Sequence, residues 1–251
     1  MLGHANEVWV RKFQRSCYRP LCKKCVTKWI AREANKATKR IEETAKKLHM
    51  TPIHLVLSVS QDHYRYSYKK LKKIAYEVLK DLNIAGAAVV FHPYRYRERT
   101  REFYYSPQFH VIGFGYIKGR IGIPYRKYGW YTVYLGPRRS VFQTFVYILS
   151  HAGIKKGVHT VTWVGAASYS KLSIEKEPDR TICPLCKCKL EEIYYDYELH
   201  PEIPPDEFFE GFVDADGWKP VETDSEFKPC NFEYHPIRQV NDILESLVLA
   251  N

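Results

Sequence analysis

Along the first two thirds of the chain, the apolar positions alternate between helical spacing and short continuous runs. From Thr27 to about Leu48, the residues Trp29, Ile30, Ala34, Ala37, Ile41, Ala45 and Leu48 recur near a 3.6 period, with Thr27 placed to cap the start. The other face carries Arg32, Lys36, Lys39, Arg40, Lys46 and Lys47. A second basic amphipathic helix is predicted over Ser67–Leu82, striped by Leu71, Ile74, Ala75, Val78 and Leu82. A third runs over Ser140–Ala152, with Ser140 as N-cap, Gly153 just past its end and Phe142, Phe145, Val146 and Leu149 on its apolar side. Between these lie β-branched and apolar runs that predict strands: Pro52–Ser60, Gly86–Pro93, Ser106–Ile117, Gly129–Leu135 (ended by Gly136-Pro137) and Thr160–Ala166.

The run Ser106–Ile117, SPQFHVIGFGYI, is apolar except at Gln108 and His110, two positions apart. In a strand both project from one face. An amide oxygen beside an imidazole nitrogen is half a ligand set for a divalent cation, although a buried histidine bonded to a neighbour would give the same pattern. Gly86–Pro93 ends in His92, and an arginine-rich loop, Arg95–Arg101, joins it to the next strand. An antiparallel pair would therefore bring His92 close to Gln108 and His110. Arg95, Arg97, Arg99 and Arg101 in that loop are candidates to grip a nucleic-acid backbone. On the third helix, Tyr147 and His151 lie four apart on one face.

Charge sharpens this picture. The net charge is +11, but residues 1–182 hold 34 Lys+Arg against 12 Asp+Glu, while residues 183–251 hold 5 against 16. A basic body in a chain with 20 tyrosines points to a polyanion partner, the tyrosine faces suiting unstacked bases. Most of the 7 cysteines fall in two tight clusters, which read as metal sites before disulfides. His4, Cys17, Cys22 and Cys25 are candidate ligands of a structural zinc. Cys183 and Cys186, in CPLC, open a second knuckle, with Cys188, His200, Cys230 and His235 as candidates to complete it. No run approaches a membrane span and Met1–Arg15 lacks a signal-peptide core, so a cytoplasmic protein without a membrane partner is expected.

Several segments together carry a resemblance: SCYRPLCKKCVTKW, VVFHPYR, SPQFHVIGFGYI, TFVYILSHAG, HTVTWVGAASYSKL and CPLC. Over roughly residues 1–190 the chain resembles the rolling-circle replication initiators of archaeal plasmids and viruses, members of the HUH endonuclease superfamily. The resemblance implies an α+β fold, a central antiparallel sheet flanked by helices with ferredoxin-like topology. It implies a metal-dependent enzyme that nicks and rejoins single-stranded DNA at a replication origin through a 5′-phosphotyrosine. His110 then matches the second histidine of the motif, His92 the third ligand of Mg²⁺ or Mn²⁺, and Tyr147 the nucleophile. Host helicase and polymerase are the further partners it implies. Two positions depart from the pattern: Gln108 replaces the first histidine, and His151 stands where many relatives carry lysine. Gln108 keeps open a catalytically weakened origin-binding module, and a transposase of the same superfamily would share the chemistry. The expected divisions are a zinc element with a basic helix over 1–50, the nuclease core over 51–182, and an acidic tail over 183–251. In that tail Pro201–Pro205 and Asp206–Glu226 are expected to be loosely ordered and Val240–Leu249 helical.

Overall fold

The computed structural model describes residues 8–11, 16–175, 181–183, 186–191, 210–214 and 217–220. In chain order its first elements are β1 (Val8–Arg11), α1 (Val26–Leu48), β2 (Ile53–Ser58), α2 (Tyr68–Asp81), β3 (Gly86–Arg97) and β4 (Glu102–Phe114). Then follow α3 (Ile123–Tyr128), β5 (Tyr131–Pro137), α4 (Val141–Ser150), β6 (Val161–Gly165), β7 (Glu210–Asp214) and β8 (Gly217–Pro220). Residues 17–174 form one compact unit; the described residues of 1–16 and 175–231 belong to another. In the smaller unit β1, β7 and β8 make an antiparallel sheet in the order β1-β7-β8. Part of the segment expected to be loosely ordered is therefore strand. His4, His200, Cys230, His235 and Val240–Leu249 lie outside the described residues.

The larger unit is an α+β body around a five-stranded sheet of order β5-β2-β4-β3-β6, antiparallel throughout. The period-2 alternation of each strand sends side chains to opposite faces. Even-numbered Ala88, Val90, Ile112 and Phe114 pack under α1 and α4, against Ile30, Ala34, Ile41, Phe145 and Ile148. On the other face Leu55, Leu57, Val89, Val111 and Phe109 pack under Leu71, Ala75 and Val78 of α2. There Trp130, fully buried, stacks on Phe109 with ring centroids 6.0 Å apart. With both faces covered, the central strands read as near-continuous apolar runs. Each fully buried Leu, Ile or Phe contributes roughly 1.5–3 kcal/mol.

The helix starts are mostly as the sequence predicts. Ser67 caps α2 and Ser140 caps α4, each accepting a backbone N–H at 3.4 Å. In α1 the N-cap is Cys25, and Thr27 falls inside the helix. The α1 helix, expected with the N-terminal zinc element, has its apolar stripe in the core of the sheet. Arg40, expected on its solvated basic face, is buried; its guanidinium donates to the Ala167 and Leu172 carbonyls at 3.1 and 2.9 Å. It sits over the Tyr169 ring, 4.4 Å from the centroid, so it pins the turn after β6.

Two further expectations change. The first three residues of Arg95–Arg101 are strand: β3 continues to Arg97, residues 98–101 turn, and β4 begins at Glu102. Gly136-Pro137 does not end its strand. Gly136 takes φ +89° within β5 beside a register shift, and Pro137 is tolerated because β5 is an edge strand. The short helix α3, opened by Pro124 and closed by left-handed Gly129, has no counterpart among the predicted elements.

Candidate active site

Strand register places the polar residues of the sheet. His92 pairs directly with Gln108, which pairs on its other side with Ser58. Directly paired residues share a face, so Ser58, Gln108 and His92 form a row across β2, β4 and β3, on the α1/α4 face. One row further along, His110 lies between Val56 and Val90, and in the next His54 pairs with Ile112. His54, His110 and His92 thus cross three strands as a diagonal, 2%, 7% and 3% exposed. The register of β3 and β4 shifts between His92 and Tyr94, at Pro93, which has no N–H for the ladder. His92 is the last residue of the regular pairing.

The hydrogen bonds assign the ring nitrogens. His92 Nε2 lies 2.8 Å from the Ile148 carbonyl, which only accepts. Nε2 therefore carries the proton and Nδ1 the lone pair. Arg138 Nη2 lies 3.1 Å from His54 Nδ1, and a guanidinium only donates, so His54 carries its proton on Nε2. That Nε2 is 3.0 Å from His110 Nδ1, to which it donates. Burial, with the Arg138 charge adding to it, pushes His54 down to about 4. Burial pushes His92 down to about 3, the Ile148 carbonyl only partly offsetting it. His110 is held well below the usual imidazole range by burial and then by His92 and His54. All three are neutral near pH 7, the form that ligates metals.

Helix α4 closes over this face. In its C-terminal turn the Ile148 carbonyl accepts a long bond from the His151 N–H at 3.3 Å, and His92 adds a shorter one at 2.8 Å. After the helix, the Gly153 N–H donates to the Phe91 carbonyl at 2.8 Å. A Cβ on Gly153 would lie 2.9 Å from Pro93 Cδ, so glycine permits the close approach of this segment to β3. Tyr147 is 52% exposed, and its ring lies 5.3 Å from that of His151, centroid to centroid. The His151 ring is in turn 6.4 Å from His92, which is 4.2 Å from His110. Ser150 Oγ donates to the Tyr147 carbonyl at 2.7 Å and lies 2.7 Å from His151 Nδ1. With its one proton so used, Ser150 Oγ accepts from His151 Nδ1–H, leaving the His151 lone pair on Nε2.

The structure thus brings His92, Gln108 and His110 onto one face, with His151 and then Tyr147 leading outward from it. By residue type, two imidazoles and an amide oxygen, this set can ligate a divalent cation once His110 offers a free nitrogen. His92 also shows the outer bond typical of a ligating histidine, its remote N–H given to a backbone carbonyl.

The arginines divide. Arg95 is half-buried and donates to Ser58 Oγ at 2.6 Å, at the rim of the site. Arg97 is exposed and stacks over Tyr104, 4.6 Å from its centroid. Arg99 and Arg101 are exposed at the turn, Arg101 with φ +55°. The β3–β4 extension therefore has one face of Arg95, Arg97 and Tyr104, continuous with the histidines. The other face pairs Tyr94 with Tyr105 and Tyr96 with Phe103.

Away from the sheet, Cys17, Cys22 and Cys25 hold their sulfurs within 4.8 Å of one another, next to the N-terminus of α1. This three-thiol cluster can bind a metal such as zinc. Cys183, Cys186 and Cys188 surround a turn in which Cys183 N–H donates to the Cys188 carbonyl at 2.8 Å and Lys187 has φ +61°.

His54 and Arg138 escaped the sequence reading. His54 stands in step with Val56 and Ser58 in the predicted strand, but nothing there told which parity faced Gln108. Arg138 follows a Gly-Pro pair and gave no signal. No protein-family model, curated protein or solved structure matches the chain, and no helix among the described residues is long and apolar enough to cross a membrane.

Proposed function

We propose that this protein is a metal-dependent endonuclease of the HUH type, nicking and joining single-stranded DNA to start rolling-circle replication. The observation that carries this reading is the convergence of His92, Gln108 and His110 on one sheet face with His151 and Tyr147 of α4 beside them. The connectivity β2-α2-β3-β4-α3-β5, with β5-β2-β4-β3 as strand order, is that of a ferredoxin-like fold and supports the same reading. His92, Gln108 and His110 would hold Mg²⁺ or Mn²⁺, which neutralises charge on the scissile phosphate when bound. Tyr147 Oη forms a bond to phosphorus while the P–O3′ bond breaks. The phenolic proton goes to His151 Nε2, and the 3′-oxygen leaves as a hydroxyl after taking a proton from solvent. Arg95 and Arg97, with Tyr104, hold the strand on the same face. Cys17, Cys22 and Cys25 take zinc in a structural role. The setting is the cytoplasm, with host helicase and polymerase acting after the nick.

Incubation with single-stranded oligonucleotides and Mn²⁺, then denaturing electrophoresis, tests the reading. Wild type should yield a covalent protein–DNA band that Tyr147→Phe abolishes while DNA binding stays within about twofold. An adduct that persists in Tyr147→Phe would remove Tyr147 from the role. Gln108 favours a second reading, an origin-binding module without cleavage; wild type that binds DNA but never forms the adduct would decide for it.

A further inference from the structure

The hydrogen bonds of the histidine diagonal have a fixed direction. Arg138 donates to His54 Nδ1, His54 Nε2–H donates to His110 Nδ1, and neutral His110 is left with its proton on Nε2. In this arrangement His110 has no nitrogen to offer a cation: Nδ1 is engaged and Nε2 is protonated. We propose that Arg138, acting through His54, is a latch on the cation site, and that His54 is the positioning residue that selects which nitrogen of His110 is free.

This rests on the proposed cation set and states what controls it. For His110 Nε2 to ligate, its proton must leave to solvent. His54 then passes its Nε2 proton to His110 Nδ1 and takes one from solvent at Nδ1. Each ring keeps one proton, and the two uncharged rings simply exchange tautomer. The new His54 Nδ1–H faces the Arg138 guanidinium, donor against donor, so Arg138 must turn away. Burial supports the coupling of the two rings, because at 2% and 7% exposure a clash of two donors or two acceptors between His54 and His110 is costly, so their tautomers change together. Arg138 itself is half-buried and can turn toward solvent. A phosphodiester oxygen competing for its guanidinium would lower the cation concentration the site requires.

Histidine tautomers are read directly by long-range ¹H–¹⁵N correlation spectra of the full chain labelled at histidine. Without metal, His54 and His110 should both show the Nε2–H pattern. At saturating Mg²⁺ both should change to Nδ1–H. Arg138→Met keeps the length of the side chain and removes the donor, and should tighten Mn²⁺ binding by about tenfold in titration calorimetry, the worth of one hydrogen bond from a charged group. A metal-free wild type with His110 in the Nδ1–H form would overturn the latch, and this measurement needs no variant to fold. Unchanged or weaker Mn²⁺ affinity in a folded Arg138→Met would overturn it as well. If the spectra and Mn²⁺ affinities follow expectation while no DNA is cut, the latch stands and the nuclease reading falls.

Discussion

The Ile148 carbonyl and the His92 imidazole, 2.8 Å apart, join the two halves of the candidate site. Ile148 follows Tyr147 directly on α4, and His92 pairs with Gln108 across the sheet. Together with the bond from the Gly153 N–H to the Phe91 carbonyl, the Ile148–His92 bond fixes the C-terminal end of α4 against β3. His92→Ala should lower stability by about 0.5–1.5 kcal/mol, because the Ile148 carbonyl is left with only the 3.3 Å bond from the His151 N–H. It should also lose Mn²⁺ binding. His92→Gln, which restores a donor, should recover most of the stability in urea titrations. Equal loss in both variants would show that the bond does not hold the helix.

Gln108→His puts a second imidazole in the row between Ser58 and His92. We expect activity to be kept or raised, and Co²⁺ or Ni²⁺ to support it better than in wild type, since imidazole suits such ions more than an amide oxygen does. Oligonucleotide cleavage across a metal series reads this. A variant with wild-type metal preference would exclude Gln108 from the ligand set.

Acid should destabilise the fold through the same histidines. With folded values near 4 for His54 and near 3 for His92, neither folded nor unfolded state holds the extra proton above pH 6.5. Below it the unfolded chain takes up protons that the folded one refuses. Stability is thus full at pH 7 and falls as pH drops toward 4, by at most about 1.4 kcal/mol per pH unit for each imidazole. Urea midpoints at pH 7.5, 6 and 5 measure this, and His92→Gln should flatten the slope. An unchanged midpoint would contradict the burial of neutral rings.

The two faces of the β3–β4 extension should separate by mutation. Arg97→Gln should weaken single-stranded DNA binding and reduce its salt slope by about one. Tyr104→Ala should cost about 1–3 kcal/mol of binding if a base stacks there. Tyr96→Ala, on the opposite face, should leave affinity unchanged. Fluorescence anisotropy at several salt concentrations distinguishes them, and equal effects at Tyr96 and Tyr104 would refute a one-sided track.

Much of the sheet was legible because its periods were clean. Alternation marked the strands carrying His92, Gln108 and His110, and Ser67 and Ser140 marked the starts of α2 and α4. What stayed hidden depended on which strands became neighbours. His54 is far from His110 in sequence, and only the β2–β4 register makes them diagonal neighbours. Arg40 looked like one more surface charge on α1 until the turn after β6 supplied carbonyls for it. Arg95–Arg101 read as a loop because charge and tyrosine outweighed the alternation, yet the ladder with β4 extends through Arg97.

The strand β2 is synthesised early and used late. Its partners β4 and β5 lie far downstream, as Ile53 pairs with Gly113 on one side and Pro137 on the other. While the chain grows on the ribosome, Leu55 and Leu57 wait without a sheet to join, and sheets closed by such distant pairings form slowly. Helix α4 follows only after β5. A partly made or prematurely terminated chain therefore carries the histidines of the early strands without Tyr147 set against them. The proposed nucleophile is made after the strands that carry the proposed ligands.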